Sequence, residues 1–541
     1  IDAASEGDTV LVQPGIYLEH LAILNKNITL ASLFLTTADT SYISTTIIDG
    51  DTSGRVIYAD GLTSETVIAG LTLRNGKTSD EPGGGLHIAG SSPTISYMVI
   101  RNNTAMMGGG IFCDGATLNV FNTLLMENVG INRAGGIMTI NSDITLENCA
   151  IFDNHAPNGA GMNCLYNNDE GNFYIVNIQS CDYSDNVASG SASGLFIGKL
   201  SGNAIVDVVL DECTFTDNIT NGNGALQIRG EEVDFRMLNC RITGNTSNTF
   251  TAGAGFLGGC TGEMANCLIA NNIAATGGGY WNSGGVALWA DVEVIFDNCT
   301  FADNFAPYGG GLTVAGSGAY FVNSIFWGNS NQQIAVVDFE ENGGGLFIDY
   351  CDMQYGFDSI RVDPYSTLAW GDHNITGDPM FVDSGEEPYE LSSSSPCIDT
   401  GTPDTTGMNL LPFDILGNIR VWDGSGGGTA IIDMGAYEYG APVWVGIDDP
   451  EPIPKVASMK MKVYPNPCRE YVILSFDVDE SQRIAANVFS IRGERVMQVM
   501  DETVTSGSFE ASIPLIDLSP GIYFIRVSTP DKTGIQKLIV L

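Results

Sequence analysis

One unit recurs along most of this chain of 541 residues, and it constrains the fold more than any other feature. Residues 298–314 read NCTFADNFAPYGGGLTV, with Cys, Asp, Asn and three consecutive glycines, the materials of a metal or phosphate loop. The recurrence argues for architecture instead. An apolar residue, then a small or acidic one, then Asn returns as IRNN, LMEN, YSDN, FTDN, ITGN, IANN, FADN and FWGN. The asparagines are Asn75, Asn103, Asn128, Asn154, Asn186, Asn218, Asn245, Asn272, Asn304 and Asn329, spaced 25–32 residues apart. A glycine cluster and a short apolar run follow most of them, as in GGGLHI, GGIMTI and GGGLTV. Each unit holds two or three β-type runs between Gly, Asn and Asp turns, and none has a helical period. One such unit cannot bury its own apolar side chains, whereas stacked units can. The pattern predicts an all-β, single-stranded parallel β-helix of about 10–13 coils, right-handed because parallel crossovers are. Ten marked coils at about 4.8 Å each make a rod of roughly 50 Å. In this reading Asn accepts left-handed turns and stacks its amides coil upon coil. Glycine supplies positive φ and close packing at the next corner. A phosphate loop is excluded, because no GK[ST] follows and no helix N-terminus is available.

Cys149, Cys181, Cys213, Cys240, Cys267 and Cys299 each precede a repeat Asn by five residues, and Ser324 holds that place before Asn329. The thiols therefore form a line, whereas a metal site needs ligands that converge. Side chains at equivalent stations are parallel and about one strand spacing apart, a poor geometry for a disulfide. A ladder of free, inward cysteines is expected, with Cys351, Cys397 and Cys468 outside it and their redox state open.

The net charge of −42 is concentrated in residues 1–455, because residues 456–541 hold 9 basic and 10 acidic side chains. Such a field repels nucleic acid and anionic lipid, and no basic stripe offsets it. Charged residues make up only 16% and hydrophobic ones 44%, so the chain folds. No apolar run reaches the ~20 residues that span a membrane. The sequence opens at Ile1 within strand-like sequence, so a leader and part of the first coil are expected to precede it.

Three constellations carry candidate chemistry. DGDTSGRVIYAD, Asp49 to Asp60, spaces its acids like an EF-hand loop, but its flanks are β-type, which favours a plain turn. An acidic row stands just before the repeat Asn at Glu127, Asp153, Asp185, Asp217 and Asp303, interrupted at Gly244 and Asn271. Like charges at coil spacing repel unless solvated or bridged by a cation, so Asp153, Asp185 and Asp217 are the candidate calcium ligands, and calcium is the only cofactor expected. The third is the second residue of each post-glycine strand: His87, Phe112, Met138, Asn163, Phe196, Gln227, Leu257, Trp281 and Thr313. Alternation points this row outward. Aromatics there can stack on sugars, so Trp281, Tyr308, Phe196 and Gln227 are the candidate glycan platform. For catalysis, Lys199, Arg229, Arg236 and Arg241 form the only local group of lyase-type bases, and nothing in the sequence makes them converge. Carboxylates are too abundant to single out a glycosidase pair. His20, His87, His155 and His373 accompany no nucleophile signature.

The [FIL]xxN and GG[GA][ILV] units resemble repeats of the pectin-lyase-like β-helix superfamily, particularly those of chlamydial polymorphic outer-membrane proteins. IDAASEGDTVLVQPGIYLEH resembles the first coil of many secreted β-helix proteins. The WIDH and RxPxxR motifs of pectate lyases and the NTD, DD, HG and RIK set of polygalacturonases are missing, so this resemblance implies a fold more than an activity. DPMFVD, SSPCIDTG, FDILGNIR and IIDMGAYEYG resemble the C-terminal segment of bacterial surface proteins called choice-of-anchor Q, with Cys397 where a small residue such as Ala is expected. That segment is expected to cap the open end of the solenoid. After a linker with Pro442, Pro450, Pro452 and Pro454, the runs VYPNPCREYVILSF, VFSIRGERV, IDLSPGIYFIRV and KLIVL resemble a type IX secretion system type A sorting domain.

The expected organisation is N-terminal coils over 1–65, repeats over 66–355, a C-terminal coil and cap over 356–440, a linker over 441–458 and an Ig-like β-sandwich over 459–541. The resemblance implies export by the type IX machinery to the surface of a Gram-negative bacterium, and a monomer is expected. The expected task is glycan binding or adhesion. A polysaccharide lyase, a glycoside hydrolase and a structural layer protein are the alternatives.

Overall fold

The computed structural model describes all residues except 168–170, 276–281, 383–384, 386, 404, 406–409, 444–456, 459–460, 465–470, 479–480, 491–494, 516–517, 519–520, 530–531 and 541. The body is a parallel β-helix with three long sheets. The first has 14 strands, from Thr9–Val12 to Thr367–Trp370; the second has 13, from Gly15–Leu18 to Asp352–Met353; the third has 13, from Leu21–Leu24 to Ile360–Val362. A fourth, short sheet of seven strands runs from Thr104–Met107 to Ile273–Ala274. One coil visits them in turn: Asp143–Glu147 in the first sheet, Ala150–Phe152 in the second, His155–Ala156 in the fourth and Met162–Tyr166 in the third. Phe173–Gln179 then pairs in parallel with Asp143–Glu147 and opens the next coil. The coils continue to Trp370.

Strand alternation sends one set of side chains into a single continuous core. In the coil above, Ile144, Leu146, Ile151, Met162, Cys164 and Tyr166 are all buried there. In the later coils that core becomes aromatic. Phe296 stacks on Phe321 at 4.2 Å between ring centroids, and Phe301 on Phe326 at 4.6 Å. Each ring covers its equivalent one coil away, so the rings add stacking to the area they bury.

Two-residue turns close the corners. Between the first and second sheets the turn is Asn148–Cys149, and after the second it is Asp153–Asn154. The first residue of each is left-handed, with φ of 53° at Asn148 and 51° at Asp153. The second residue points into the core. The left-handed station is therefore the residue before the repeat Asn, which explains its Asp, Asn and Gly content, since these residues visit that region at least cost. The sequence pattern had assigned the left-handed role to the repeat Asn. Asn75, with φ of 56°, belongs to the left-handed row, and Gly76 takes the inward place in its coil.

Glycines line the approach to the third sheet because coils touch there. A Cβ built on Gly85 would stand 2.7 Å from the carbonyl oxygen of Gly110, and one on Gly110 would stand 2.7 Å from that of Gly136. At the C-terminus, a five-stranded sheet (Ala457–Ser458, Gln482–Ser490, Arg495–Val504, Gly521–Ser528, Lys532–Val540) and a three-stranded sheet (Met461–Tyr464, Tyr471–Val478, Gly507–Pro514) share one core around Val472, Leu474, Val488 and Ile525. Two sheets over one core make a small β-sandwich.

Candidate functional site

The repeat asparagines form a buried hydrogen-bond ladder. Asn186 Nδ2 and Asn186 N both donate to Asn218 Oδ1 at 3.1 Å, and Nδ2 also donates to Ile151 O at 2.8 Å. The same pattern links Asn103, Asn128, Asn154, Asn186, Asn218, Asn245, Asn272, Asn304 and Asn329, and it ends on Gln333 Oε1 at 2.7 Å from Asn329 Nδ2. These amides are locked into architecture and offer nothing to a ligand.

The other corner carries a thiol ladder. Cys149, Cys181, Cys213, Cys240, Cys267 and Cys299 are buried and free. Their Sγ atoms donate to backbone carbonyls, as Cys240 does to Leu210 O at 3.4 Å and Leu238 O at 3.3 Å. Thr123 stands at this station before them and Ser324 after them. Cys351, which spacing left outside, joins the ladder: Ser324 N donates to its Sγ at 3.3 Å. Burial pushes the thiols of Cys213, Cys240, Cys267 and Cys351 well above their ordinary value, so they are poor nucleophiles and poor metal ligands. Cys468 lies outside the described residues.

The acidic row is a set of exposed left-handed turn residues. Glu127, Asp153, Asp185, Asp217 and Asp303 have φ between 51° and 55°. Partial burial, then the neighbouring charges of Asp153, Asp217 and Asp182, raise Asp185 above the usual carboxylate range. Asp153, Asp185 and Asp217 stand in file along the corner, and among the described residues no group of three or more His, Cys, Asp or Glu converges to hold a metal. The EF-hand-like stretch is a turn between strands Thr46–Asp49 and Ile57–Asp60, with Asp49 engaged by Arg74 Nε at 2.7 Å and by Asn75 Nδ2.

The candidate glycan row corrects the sequence reading. Its true register runs Tyr58, His87, Phe112, Met138, Asn163, Phe196, Gln227, Gly255, Ala287 and Thr313, so Leu257 lies two residues off it. The row faces out of the third sheet but not into solvent: Phe196 is 6% exposed and Gln227 3%. Met107, Ala134 and Ala192, from the segments that approach the third sheet, pack over Phe112, Met138 and Phe196. His87 sits edge-on between Tyr58 and Phe112, and burial, then the Arg55 charge, lower it to about 4. Trp281 lies outside the described residues. Tyr308 is half-buried beneath the Arg361 guanidinium, 5.5 Å from the ring centroid. The four bases are also dispersed. Arg236 is on the first sheet, Arg241 on the second and paired with Glu387 at 2.8 Å, and Lys199 and Arg229 end strands of the third.

The described residues between 375 and 443, expected to cap the end of the solenoid, pack elsewhere. They fold back along the outer face of the second sheet. Tyr389, Ile415, Ala436 and Tyr437 pack on Leu268, Ala270 and Ala302, while Leu391, Ile398 and Met434 pack on Ile325. Tyr389 Oη bridges Asn271 and Asp303 at 2.7 and 3.0 Å. The segment is held by a buried charge knot. Arg420 is fully enclosed, with Nη1 3.7 Å from Glu438 Oε2 and Nη2 donating to the carbonyls of Asp433 and Gly435. The Asp414 carboxylate accepts the amides of Leu416, Asn418 and Glu438. Burial holds Glu438 and Asp433 above the usual carboxylate range. Cys397 Sγ donates to Asp352 Oδ2 at 3.2 Å, and burial raises Asp352 to about 7.

Two cavities open beside this segment. The larger, 550 Å³, lies within it among Val382, Glu390, Leu391, Asn418, Tyr437 and Tyr439. The smaller, 340 Å³, lies between the last coils and the start of the segment and is lined by Trp327, Gln354, Tyr355 and Thr376. None of these four was singled out in the sequence, although Tyr355 occupies a left-handed station where Asp, Asn or Gly is the rule.

The body is thus a parallel β-helix, with no helix among the described residues long and apolar enough to cross a membrane. Residues 462–541 match the family described as a secretion system C-terminal sorting domain. The chain is therefore a secreted, cell-surface protein addressed by its C-terminal domain to the type IX secretion machinery. Over 197 residues, 35% of this chain, it is 26% identical to "Metabotropic glutamate receptor-like protein R" of Dictyostelium discoideum, and the match spans 11% of that protein. The enzymatically active domain of tailspike protein 4 from bacteriophage CBA120 aligns over 94% of this chain and 59% of its own, at 11% identity and a TM-score of 0.24, a likeness too slight to carry argument.

Proposed function

We propose that this protein is a surface-displayed rod that binds neutral polysaccharide along the uncovered half of its second sheet. One contrast supports this reading. In the coils beneath residues 375–443, the outward residues Leu268, Ala270, Thr300 and Ala302 are at most 4% exposed. The equivalent positions of the preceding coils, Leu124, Met126, Ala150, Phe152, Asp182, Ser184, Thr214 and Thr216, are left partly or fully open. Leu124 is 41% exposed, and the strip continues round the corner onto Val129 and Ile219. Apolar area interleaved with hydroxyls and a carboxylate suits the CH faces and hydroxyls of sugars. The acidic field works against polyanions.

The test incubates the full chain with neutral and uronate-containing polysaccharides, measures depletion onto each polymer, and examines the supernatant by mass spectrometry. Depletion onto a neutral polymer without new oligosaccharides is expected, with Phe152→Asp binding weakly. Oligosaccharide products would make the protein an enzyme, and absence of any depletion would overturn the binding role.

A further inference from the structure

The geometry assigns the 340 Å³ cavity formed by Trp327, Gln354, Tyr355 and Thr376 as a discrete site for a neutral sugar ring. This assignment rests on the glycan-binding reading and gives it a particular subsite. The cavity volume falls at the lower end of the roughly 300–1,000 Å³ found for small-molecule sites. Two of its four walls are aromatic, one is an amide and one a hydroxyl, and none is charged in a chain of net charge −42. Aromatic faces with a few convergent polar groups are what a pyranose ring, apolar on its faces and polar at its rim, requires.

The site is built. Trp327 ends the second-sheet strand Ile325–Trp327 and packs against the buried cluster of Ile325, Leu391, Cys397, Ile398 and Met434, which fixes the indole. Gln354 N donates to Phe326 O at 3.0 Å, and Gln354 Oε1 accepts Gly328 N and Gln333 Nε2, both at 3.0 Å. Its Nε2 donates to no protein acceptor among the described residues, so this lining amide keeps a donor for a ligand. Thr376 follows Ile375, which is bridged to Asp352, so the opposite wall is also pinned.

Tyr355 is the telling residue. It follows Met353 by two positions as Gly328 follows Phe326, and Phe326 and Met353 are paired in register. It therefore occupies the left-handed station that earlier coils fill with Asn102, Glu127, Asp153, Asp185, Asp217, Gly244, Asn271, Asp303 and Gly328. A tyrosine at φ 64° is disfavoured there, yet its ring is 76% exposed, so no core packing compensates. A ligand platform accounts for an exposed aromatic at a position where the turn favours glycine or asparagine.

The full chain, its Tyr355→Gly variant and its Trp327→Phe variant are titrated with neutral trisaccharides of glucose, xylose and mannose, and with trigalacturonate, by saturation-transfer NMR and calorimetry. Wild type is expected to bind one neutral trisaccharide and not trigalacturonate. Tyr355→Gly is expected to weaken binding at least tenfold while melting no lower than wild type, because glycine accepts the same φ. Undiminished binding by Tyr355→Gly overturns the assignment. Polymer depletion without trisaccharide binding overturns the pocket and leaves the rod reading standing. Absence of both refutes the two together.

Discussion

The asparagine ladder permits a quantitative test of what holds the coils in register. Asn218 lies in its middle and is fully buried. Its Oδ1 accepts two bonds from Asn186, and its Nδ2 donates to Tyr183 O at 2.7 Å and to Asn245 Oδ1 at 3.0 Å. Asn218→Ala leaves the Asn186 amide and the Tyr183 carbonyl without these partners in a dry interior. At about 1–3 kcal/mol for each of these two unsatisfied buried groups, the loss is about 2–6 kcal/mol. Asp217, next to it, is exposed and left-handed, so Asp217→Gly should change stability by less than about 1 kcal/mol. Urea unfolding followed by circular dichroism gives the global value, and hydrogen exchange of peptides spanning residues 183–187 gives the local one. A loss below about 1 kcal/mol for Asn218→Ala, with protection at Asn186 retained, would show that backbone pairing alone sets the register.

Asp352 provides a pH test. Its folded value of about 7 lies above the unfolded ~3.9, so the native state holds an extra proton between those values, and its stabilising effect is lost as pH rises from 4 to 7. Asp352→Asn should therefore melt above wild type at pH 8 and close to it at pH 4; a pH-independent difference would refute the assignment. The eleven buried cysteines should ignore a water-soluble thiol reagent in the native chain and react only in denaturant. More than one fast-reacting thiol without denaturant would contradict the ladder. Gly285→Ala should destabilise far more than Gly345→Ala in thermal melts, because a Cβ at Gly285 meets the Gly311 carbonyl whereas one at Gly345 meets only the Thr367 hydroxyl at 3.7 Å. Equal melting temperatures would remove the steric role given to the glycine row.

The β-helix, its corner ladders and the sorting domain were legible because each repeats a chemical requirement at fixed spacing or carries a dense motif. The errors have definite causes. Asn serves both the left-handed and the inward station, so counting asparagines placed Asn75 one residue off its row. Cys351 was missed because the residue five positions on is Gly356, which breaks the rule by which the other thiols were found. Period-two alternation tells which way Phe196 and Gln227 leave their sheet, but not that small residues such as Ala192 lie on top. The path of residues 375–443 is irregular, fixed by long-range contacts such as Arg241 with Glu387 that no local spacing announces.

The same physics says where in this fold recognition belongs. Inside, every station answers to the coils on either side: an amide must both donate and accept, and a ring must cover the next ring. A change there propagates along the rod, so the interior has little freedom to evolve a binding specificity. Outward positions have one neighbour fewer and are free wherever nothing covers them. Residues 375–443 remove that freedom from the later coils and leave it to Leu124, Met126, Phe152 and their neighbours. Beyond the covered coils, at the end of the second sheet, Tyr355 holds a left-handed station beside an indole anchored from behind. An open strip on one side of the covered coils and a pocket on the other would let a long polymer be held by many weak contacts and read by one specific contact, so loss of the pocket should change which glycan is preferred more than whether glycans are bound.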